Sequence, residues 1–211
     1  MKHVLIGTTN AAKVGRFQAL LHDYDVKFYT LRDLNITEEP SESGKTPVEN
    51  AVLKAKCYGK YFDLVLCNDS GLYFDGLPTD DPRQPALNIR APQGKRLDDE
   101  EMIEYYGKLI HTLGGKILAY YLDGIAVYNR GEIFTFIEPT ESAKQSAFYM
   151  VDTPSPKRHA GWPLDSLSLN RNTMTYFVEH GSNQYDTEDE NIILGEYRRH
   201  LTDFLISALG L

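Results

Sequence analysis

The sequence has few cysteines, no excess of positive charge and no long apolar run. Cys57 and Cys67 are its only cysteines, and their spacing matches no metal-binding motif. Two such thiols are expected to be small buried apolar side chains rather than ligands or a disulfide. No stretch approaches the roughly 20 apolar residues of a membrane span, and the first residues do not resemble a signal peptide. We therefore expect a cytoplasmic protein with no membrane partner.

The charge balance also excludes one large class of partners. The 211 residues carry 22 basic and 30 acidic side chains, a net charge of −8. A surface that binds DNA or RNA needs a basic excess to release phosphate counterions, so we expect no nucleic-acid polymer as partner. A small anionic ligand remains compatible with this charge, because a few lysines and a metal ion can outweigh the overall field.

The first thirty residues predict an α/β layer architecture. Residues 2–7 form an apolar run typical of a buried strand, and residues 26–29 predict a second strand. Between them, apolar side chains recur at helical spacing from Val14 to Leu21. A strand, a helix and a strand in this order are typical of α/β proteins.

The rest of the chain predicts further alternation of helices, strands and loops, with no repeat and no clear linker. The length of residues 1–211 fits one large domain or two fused lobes, either of which can bury a core. The predicted elements are a polar loop at 35–46, a helix from 47 to about 61, a strand at 64–67 with a turn at 68–71, a long irregular loop at 76–97, a helix at 98–113, a hairpin of strands at 116–128 and 132–138, mixed short strands and turns over 139–188, and a helix at 189–209.

The loop after the first predicted strand carries the first candidate site. In Thr8-Thr9-Asn10-Ala11-Ala12-Lys13, the N–H groups that open a helix can bind an anion, and Lys13 lies one turn further on. The alternative is that Asn10 only caps the helix and that Lys13 is solvated.

The helix that opens after Thr46 carries the second candidate site. Glu49 can act as a Mg²⁺ ligand and Lys54 as a phosphate contact. The alternative makes Glu49 a capping-box partner of Thr46 and Lys54 a surface cation.

The third candidate site is the segment Asn68-Asp69-Ser70-Gly71-Leu72, which follows a buried strand. Attack of water on a phosphoanhydride needs a base within hydrogen-bond reach and a metal that neutralises the developing charge. Asp69 can serve as that base or as a metal ligand. The alternative is a turn-forming aspartate that bonds the local backbone.

Taken in order, these segments resemble the inosine triphosphate pyrophosphatase family. The resemblance rests on T-x-N-x-x-K after the first strand, E-S-G-x-T-x-x-E-N-A-x-x-K-A in the middle, and N-D-S-G-L after the next strand. It continues at Arg90, with Pro85 and Ala86 before it, and residues 161–165 (Gly-Trp-Pro-Leu-Asp) are similar to that family's G-F-G-Y-D segment.

The resemblance implies an elongated two-lobed α/β fold, with a central mixed β-sheet flanked by helices and an active-site cleft between the lobes. It also implies a homodimer that uses Mg²⁺ to hydrolyse a nucleoside triphosphate, with Asp69 activating the attacking water. The other roles carried over are triphosphate or substrate binding by Thr8, Asn10, Lys13, Lys54 and Ser70, metal binding by Glu49, Asp69 and Asn68, stacking on the base by Trp162, and contact with the base edge by Asp165.

Two departures from the family pattern concern the metal and the base. The family has paired aspartates where this chain has Asn68 and Asp69, and an asparagine offers a carbonyl oxygen but no charge. The family's Ser-His-Arg triplet, which reads the purine 6-oxo group, has no counterpart in residues 193–200. Arg198, Arg199 or His200 can substitute, or they can be solvated surface residues.

The sequence therefore predicts Mg²⁺-dependent hydrolysis of a deaminated purine nucleoside triphosphate, such as ITP, dITP or XTP, to the monophosphate and pyrophosphate. One alternative is a nucleotide-binding relative with weak or lost catalysis. The other is a pyrophosphatase that acts on a different modified nucleotide.

Overall fold

The computed structural model describes residues 1–92, 94–179 and 188–211 of the chain. Within these residues there are five α-helices, seven β-strands and two short 3-10 helices. The helices are α1 (Ala11–Leu20), α2 (Pro47–Tyr58), α3 (Asp99–Thr112), α4 (Thr140–Gln145) and α5 (Glu188–Leu209). The strands are β1 (Lys2–Ile6), β2 (Val26–Thr30), β3 (Leu64–Phe74), β4 (Lys116–Asn129), β5 (Glu132–Ile137), β6 (Phe148–Val151) and β7 (Ser168–Leu169).

The seven strands form a mixed sheet in the order β2-β1-β3-β4-β6-β7, with β5 paired to β4. Strand β1 pairs in parallel with both β2 and β3, while β5 and β6 pair antiparallel with β4. This confirms the predicted fold class, an α/β protein with a central mixed sheet flanked by helices. The parallel part corresponds to the predicted strand–helix–strand opening, because parallel neighbours need a crossover connection.

The chain divides into two compact units. The first consists of Met1–Ser70, Asp123–Glu138 and Glu196–Leu211, and the second of Gly71–Leu122 and Pro139–Gly195. In the first unit, apolar side chains of α1 and α5 pack on one face of the strands, and those of α2 pack on the other. Burial on both faces explains why the end of β1 and the start of β3 read as continuous apolar runs in the sequence.

The second unit is built around the buried side chains of α3. That helix begins with a complete capping box, in which Asp98 Oδ1 accepts from Glu101 N at 2.8 Å and Glu101 Oε2 accepts from Asp98 N at 3.0 Å. Its apolar face, which includes Ile103, Tyr106 and Ile110, packs with residues of β4 and β6 in one cluster. The helix predicted at 98–113 is thereby confirmed, with bounds of Asp99–Thr112.

Helix α2 starts where the sequence predicts. Thr46 is its N-cap, with Oγ1 accepting from Glu49 N at 3.2 Å, and Pro47 occupies the first turn, where its missing N–H costs nothing. The helix ends at Tyr58 rather than near residue 61, because Gly59 closes it with bonds to Ala55 O and Cys57 O.

The predicted turn at residues 68–71 is wrong, because β3 continues without interruption from Leu64 to Phe74. Asn68 and Asp69 are 2% and 9% exposed, so they lie inside the strand and not at its end. Turn-forming residue types mislead here because Asp69 takes its hydrogen bonds from α2 and not from its own backbone. Long-range partners have overridden the local propensity.

The remaining predictions concern the hairpin turn, the mixed segment at 139–188 and membrane-spanning helices. The hairpin turn is confirmed at Arg130 and Gly131, whose φ angles of 49° and 101° suit the two central positions of a tight hairpin. The mixed segment at 139–188 contains α4, β6 and β7, and its residues 180–187 lie outside the described ones. Within the described ranges, no helix combines the length and the apolar character that a membrane crossing needs.

Candidate active site

The loop that follows β1 is attached to β3 just before the polar part of that strand. Gly7 N donates to Leu66 O at 2.9 Å, and the Cys67 thiol lies 3.7 Å from Gly7 O. A Cβ at position 7 would come within 2.4 Å of Cys67 Sγ, so only glycine allows this approach. The contact brings the loop at residues 8–10 beside the strand that carries Asp69.

Asp69 is the centre of a polar cluster formed by β3 and α2. Asn50 Nδ2 donates to Asp69 Oδ2 at 2.9 Å, and Lys54 Nζ donates to Oδ1 at 2.9 Å. Asn50 is itself held by Gly44 N, which donates to its Oδ1 at 2.8 Å. Both oxygens of this buried carboxylate are therefore oriented by neighbours, as its burial requires.

Lys54 connects this cluster to a carboxylate that our sequence reasoning missed. Its ammonium lies 2.7 Å from Glu42 Oε1 as well as 2.9 Å from Asp69 Oδ1. Burial acts to lower the pKa of Lys54, but the two carboxylates outweigh it and raise the pKa. Glu42 lies in the loop before α2, and the only signal that could have found it is its place in the E-S-G-x-T motif.

Lys13 lies near two carboxylates without binding either. Among the described residues, no hydrogen-bond acceptor contacts the ammonium of Lys13, and the side chain is partly buried. Burial lowers the pKa of Lys13, and the negative charges of Asp123 and Asp69 partly offset this. A desolvated ammonium without an acceptor is a favourable position for an anion to bind.

The start of α1 adds a second attraction for an anion. Thr8 Oγ1 accepts from Asn10 N at 3.2 Å, and Asn10 O accepts from Val14 N, which begins the helix. No acidic side chain lies in the first turn, so the partial positive charge of the helix N-terminus is not compensated from within the helix. Thr8, Asn10 and Lys13 thus lie on the loop and the first turn of α1, and their predicted roles in binding the substrate stay predictions.

Successive residues of β3 point to opposite faces of the sheet, which separates Asn68 from Asp69. Leu64 and Leu66 pack with α1 and α5, whereas Val65 and Cys67 pack with α2. By this alternation the Asp69 side chain faces α2, and Asn68 and Ser70 face α1 and α5. The predicted pairing of Asn68 with Asp69 on one metal is not what this geometry favours.

Asn68 has one unsatisfied atom. Its Nδ2 lies 3.4 Å from Ser70 Oγ, and its Oδ1 has no hydrogen-bond partner within the part of the chain that the structure describes. A buried carbonyl oxygen of this kind costs stability unless water, a cation or another donor satisfies it.

On the same face lies a second carboxylate that sequence reasoning missed, Asp123 of β4. Ser70 Oγ donates to Asp123 Oδ1 at 2.7 Å, and Arg16 Nη1 lies 2.7 Å from Oδ2. Burial acts to raise the pKa of Asp123, but Arg16 and Ser70 outweigh it and lower the pKa. The available signal was a single charged residue inside the apolar run from Tyr120 to Tyr128.

Within the described residues, the Glu49 side chain bonds to the loop before α2 and not to the Asp69 cluster. Its side chain is exposed, and Oε2 accepts from Lys45 N at 2.6 Å. This is close to the capping alternative, although the donor is Lys45 and not Thr46. Across the described ranges, no three histidine, cysteine, aspartate or glutamate side chains are grouped so that they could hold a metal. The predicted metal role of Glu49 stays a prediction.

Trp162 and Asp165 belong to the second unit. Trp162 precedes a short 3-10 helix, Pro163–Ser166, and is partly exposed. Asp165 is buried and lies 2.9 Å from His159 Nδ1. Burial raises the pKa of Asp165, partly offset by His159. Their predicted roles at the base stay predictions.

Comparison with known sequences identifies the family. The sequence model of the Ham1 family matches residues 4–138, which include all three ordered motifs. The chain belongs to the Ham1 family. The match confirms the resemblance predicted from those motifs.

Similar curated proteins from Bacillus species are named dITP/XTP pyrophosphatases. The chain is 36% identical over 118 residues to the dITP/XTP pyrophosphatase of Bacillus subtilis (strain 168), covering 54% of this chain and 55% of that protein. It is 38% identical over 105 residues to the dITP/XTP pyrophosphatase of Bacillus anthracis, covering 49% and 50%. The chain thus spans about half the length of the curated relatives that it matches.

Solved structures of Ham1 proteins share the whole fold. The Staphylococcus aureus Ham1 protein has a TM-score of 0.68 at 20% identity, covering 96% of this chain and 99% of its own. A HAM1 protein from Coxiella burnetii has a TM-score of 0.69 at 20% identity, covering 99% and 100%. These likenesses support the architecture, including the part of the chain beyond residue 138.

In this Ham1-family chain, Tyr197 is the partly buried side chain among residues 195–200, the part of this stretch whose side chains the structure describes. Its hydroxyl donates to Asp123 Oδ2 at 3.1 Å and accepts from Arg16 Nη2 at 2.9 Å. Burial, followed by the charge of Asp123, raises the pKa of Tyr197. The three basic residues after it, which the sequence offers either as substitutes for the missing triplet or as solvated surface residues, are exposed: Arg198, Arg199 and His200.

The partly buried carboxyl of Glu138 predicts how the stability of the protein depends on pH. Burial, reinforced by the charge of Asp123, raises the pKa of Glu138 to about 7. Between the ordinary glutamate pKa and this value, the folded protein keeps a proton that the unfolded chain has lost, so stability falls as the pH rises through that window. We expect Glu138→Gln to match the parent at pH 4.5 and to melt about 3 °C higher at pH 8.

Thermal unfolding at the two pH values measures this effect. Glu132→Gln is the matched control, because Glu132 begins β5 and is exposed. It should change the melting temperature little at either pH. An equal gain for Glu138→Gln at both pH values would contradict a titration of this carboxyl.

Proposed function

We propose that this Ham1-family chain is a Mg²⁺-dependent nucleoside-triphosphate pyrophosphatase. The observation that carries the proposal is a buried, oriented carboxylate, Asp69, whose charge acts on the desolvated ammonium of Lys13, which has no acceptor among the described residues. Hydrolysis of a phosphoanhydride needs these two functions together, a base for water and cations for the phosphates. The dITP/XTP pyrophosphatase activity named for the Bacillus relatives is consistent with it.

In this proposal the triphosphate lies against the start of α1. Lys13 and the N–H groups at that helix N-terminus bind its oxygens, and Thr8 and Asn10 shape the loop around it. Lys54 binds a further phosphate from α2. Asp69 accepts a proton from the water that attacks the α-phosphorus, and Asn50 keeps the carboxylate in position by its bond to Oδ2.

The oxygens present suit a hard divalent cation. Glu42 and Asp69 lie close enough to bind one common ammonium, at 2.7 Å and 2.9 Å, so the same two carboxylates can hold one Mg²⁺. Bound Mg²⁺ would neutralise charge on the phosphate oxygens. We prefer Glu42 to Glu49 as the second carboxylate, because Glu42 shares a contact with Asp69.

The substrate that we propose is a deaminated purine nucleoside triphosphate such as ITP, dITP or XTP. It follows from the family and from the names of the Bacillus relatives. Trp162 and Asp165 are proposed to contact the base, and Ser70 the substrate. A homodimeric, cytoplasmic protein is proposed on the same resemblance.

Release of pyrophosphate from a panel of nucleoside triphosphates tests the function. We expect turnover of inosine and xanthosine triphosphates and their deoxy forms, at least about tenfold faster than of adenosine or guanosine triphosphate, and none after chelation of divalent metal. Thermal stabilisation by a nucleotide without pyrophosphate release would favour a binding protein instead. Preferred turnover of another base would favour a pyrophosphatase for a different nucleotide.

A further inference from the structure

Lys54 occupies the position between the two carboxylates that the proposed function gives to the metal. Its Nζ lies 2.7 Å from Glu42 Oε1 and 2.9 Å from Asp69 Oδ1. The Lys54 and Asp69 side chains are each 13% exposed, whereas Glu42 is 57% exposed on its loop. The ammonium therefore already neutralises the partly buried carboxylate in the absence of any ligand.

A divalent cation and this ammonium compete for the same oxygens. Mg²⁺ needs direct contact with carboxylate oxygens at about 2 Å, and a lysine provides only donors. Asn50 Nδ2 donates to the other Asp69 oxygen, Oδ2, at 2.9 Å, so Oδ1 is the oxygen that Lys54 bridges to Glu42. A metal that enters must displace Lys54, and the displaced ammonium then needs a new acceptor.

We propose that Lys54 is a placeholder cation, which holds Glu42 and Asp69 in the free protein and moves to a substrate phosphate when the metal enters. This rests on the proposed function, because that function supplies the phosphate. The four-carbon side chain of lysine allows such a movement without a change in the helix. Triphosphate provides the acceptor that displacement by metal alone does not.

The consequence is that metal and triphosphate help each other to bind. Metal alone must leave Lys54 without a partner, so it binds weakly. Triphosphate accepts from Lys54 and thereby frees the carboxylates, and by linkage metal raises the affinity for triphosphate by the same factor. The free protein also avoids an unneutralised buried carboxylate before substrate arrives.

Binding of Mn²⁺ alone, followed by electron paramagnetic resonance, tests the proposal without any turnover. We expect Lys54→Met to bind Mn²⁺ at least about tenfold more tightly than the parent, because the competing positive charge is gone. Lys60→Met is the matched control. Lys60 belongs to the same unit, and its Nζ lies 3.2 Å from Glu38 Oε1. This substitution therefore also removes one positive charge, but not the one that bridges Glu42 and Asp69. It should change Mn²⁺ affinity less than about twofold.

Two further measurements guard against a folding artefact. Lys54→Met leaves Asp69 with Asn50 alone and is expected to melt at a lower temperature, but saturating Mn²⁺ should raise its melting temperature more than that of the parent. Adding Glu42→Gln to Lys54→Met should abolish the gain in Mn²⁺ affinity. This places the bound ion at the two carboxylates.

Unchanged or weaker Mn²⁺ binding by Lys54→Met, with no extra stabilisation by the ion, would overturn the placeholder role. That result would leave the proposed function standing if the parent still releases pyrophosphate with metal. Conversely, tighter Mn²⁺ binding by the variant together with a parent that releases no pyrophosphate would refute the enzyme and not the competition between lysine and metal.

Discussion

Replacing Asp69 with asparagine is expected to lower turnover by about a thousandfold while the protein stays folded. The amide has the same size as the carboxylate but cannot accept a proton from water. Lys54 keeps its bond to Glu42 at 2.7 Å, so the ammonium is not left without a partner. Because the lost group acts in the chemical step, we expect kcat to fall far more than the KM for nucleotide changes.

Steady-state pyrophosphate release measures this loss, and thermal unfolding checks the fold. Asp63→Asn is the matched control, because Asp63 immediately precedes β3 and is exposed. It removes the same charge from the same part of the chain and should leave kcat within about twofold. Turnover of Asp69→Asn at the parental rate would reject Asp69 as the base.

The elements with strong local signals were predictable from the sequence. Helix α2 begins at Thr46 and Pro47, a capping signal that needs no knowledge of the rest of the fold. Strand β1 carries three consecutive buried apolar residues, which is the pattern of a strand covered on both faces. The extension of β3 through residues 68–74 was not predictable, because the bonds that satisfy Asp69 come from another element.

The residues of the candidate site also differ in whether a local sequence pattern indicates them. Lys13, Lys54 and Asp69 were found because their motifs are local and ordered along the chain. Glu42 was missed because its contact with Lys54 depends on the path of an irregular loop, which carries no periodicity. Asp123 was missed because its partners on α1 and α5 are far from it in sequence, and no local sequence pattern predicts contacts over such distances along the chain.

The largest expected effect on stability comes from Arg16→Met. It removes the ion pair of Arg16 with Asp123, at 2.7 Å, and leaves a carboxylate that is only 11% exposed without its positive partner. Ser70 and Tyr197 remain as donors, but neither neutralises the charge. We expect a loss of about 3 kcal/mol in the free energy of unfolding, measured by urea denaturation at pH 7.

An exposed ion pair provides the control. Arg158 lies 2.6 Å from Glu100, and the two side chains are 40% and 68% exposed. The same substitution there, Arg158→Met, should cost less than about 1 kcal/mol, because water screens the pair and solvates what remains. Equal losses for the two variants would mean that burial of Asp123 does not matter.

A second substitution and a change of pH separate lost charge from lost packing. Adding Asp123→Asn to Arg16→Met removes the uncompensated charge and should recover more than half of the loss, since residues in one network do not act additively. The lowered pKa of Asp123 means that its stabilising contribution is present above the ordinary aspartate pKa and is lost as the pH falls below it. The gap between parent and Arg16→Met should therefore narrow below about pH 4, because protonation removes the charge that Arg16 neutralises. A gap that stays constant down to pH 3 would assign the loss to packing of the arginine side chain.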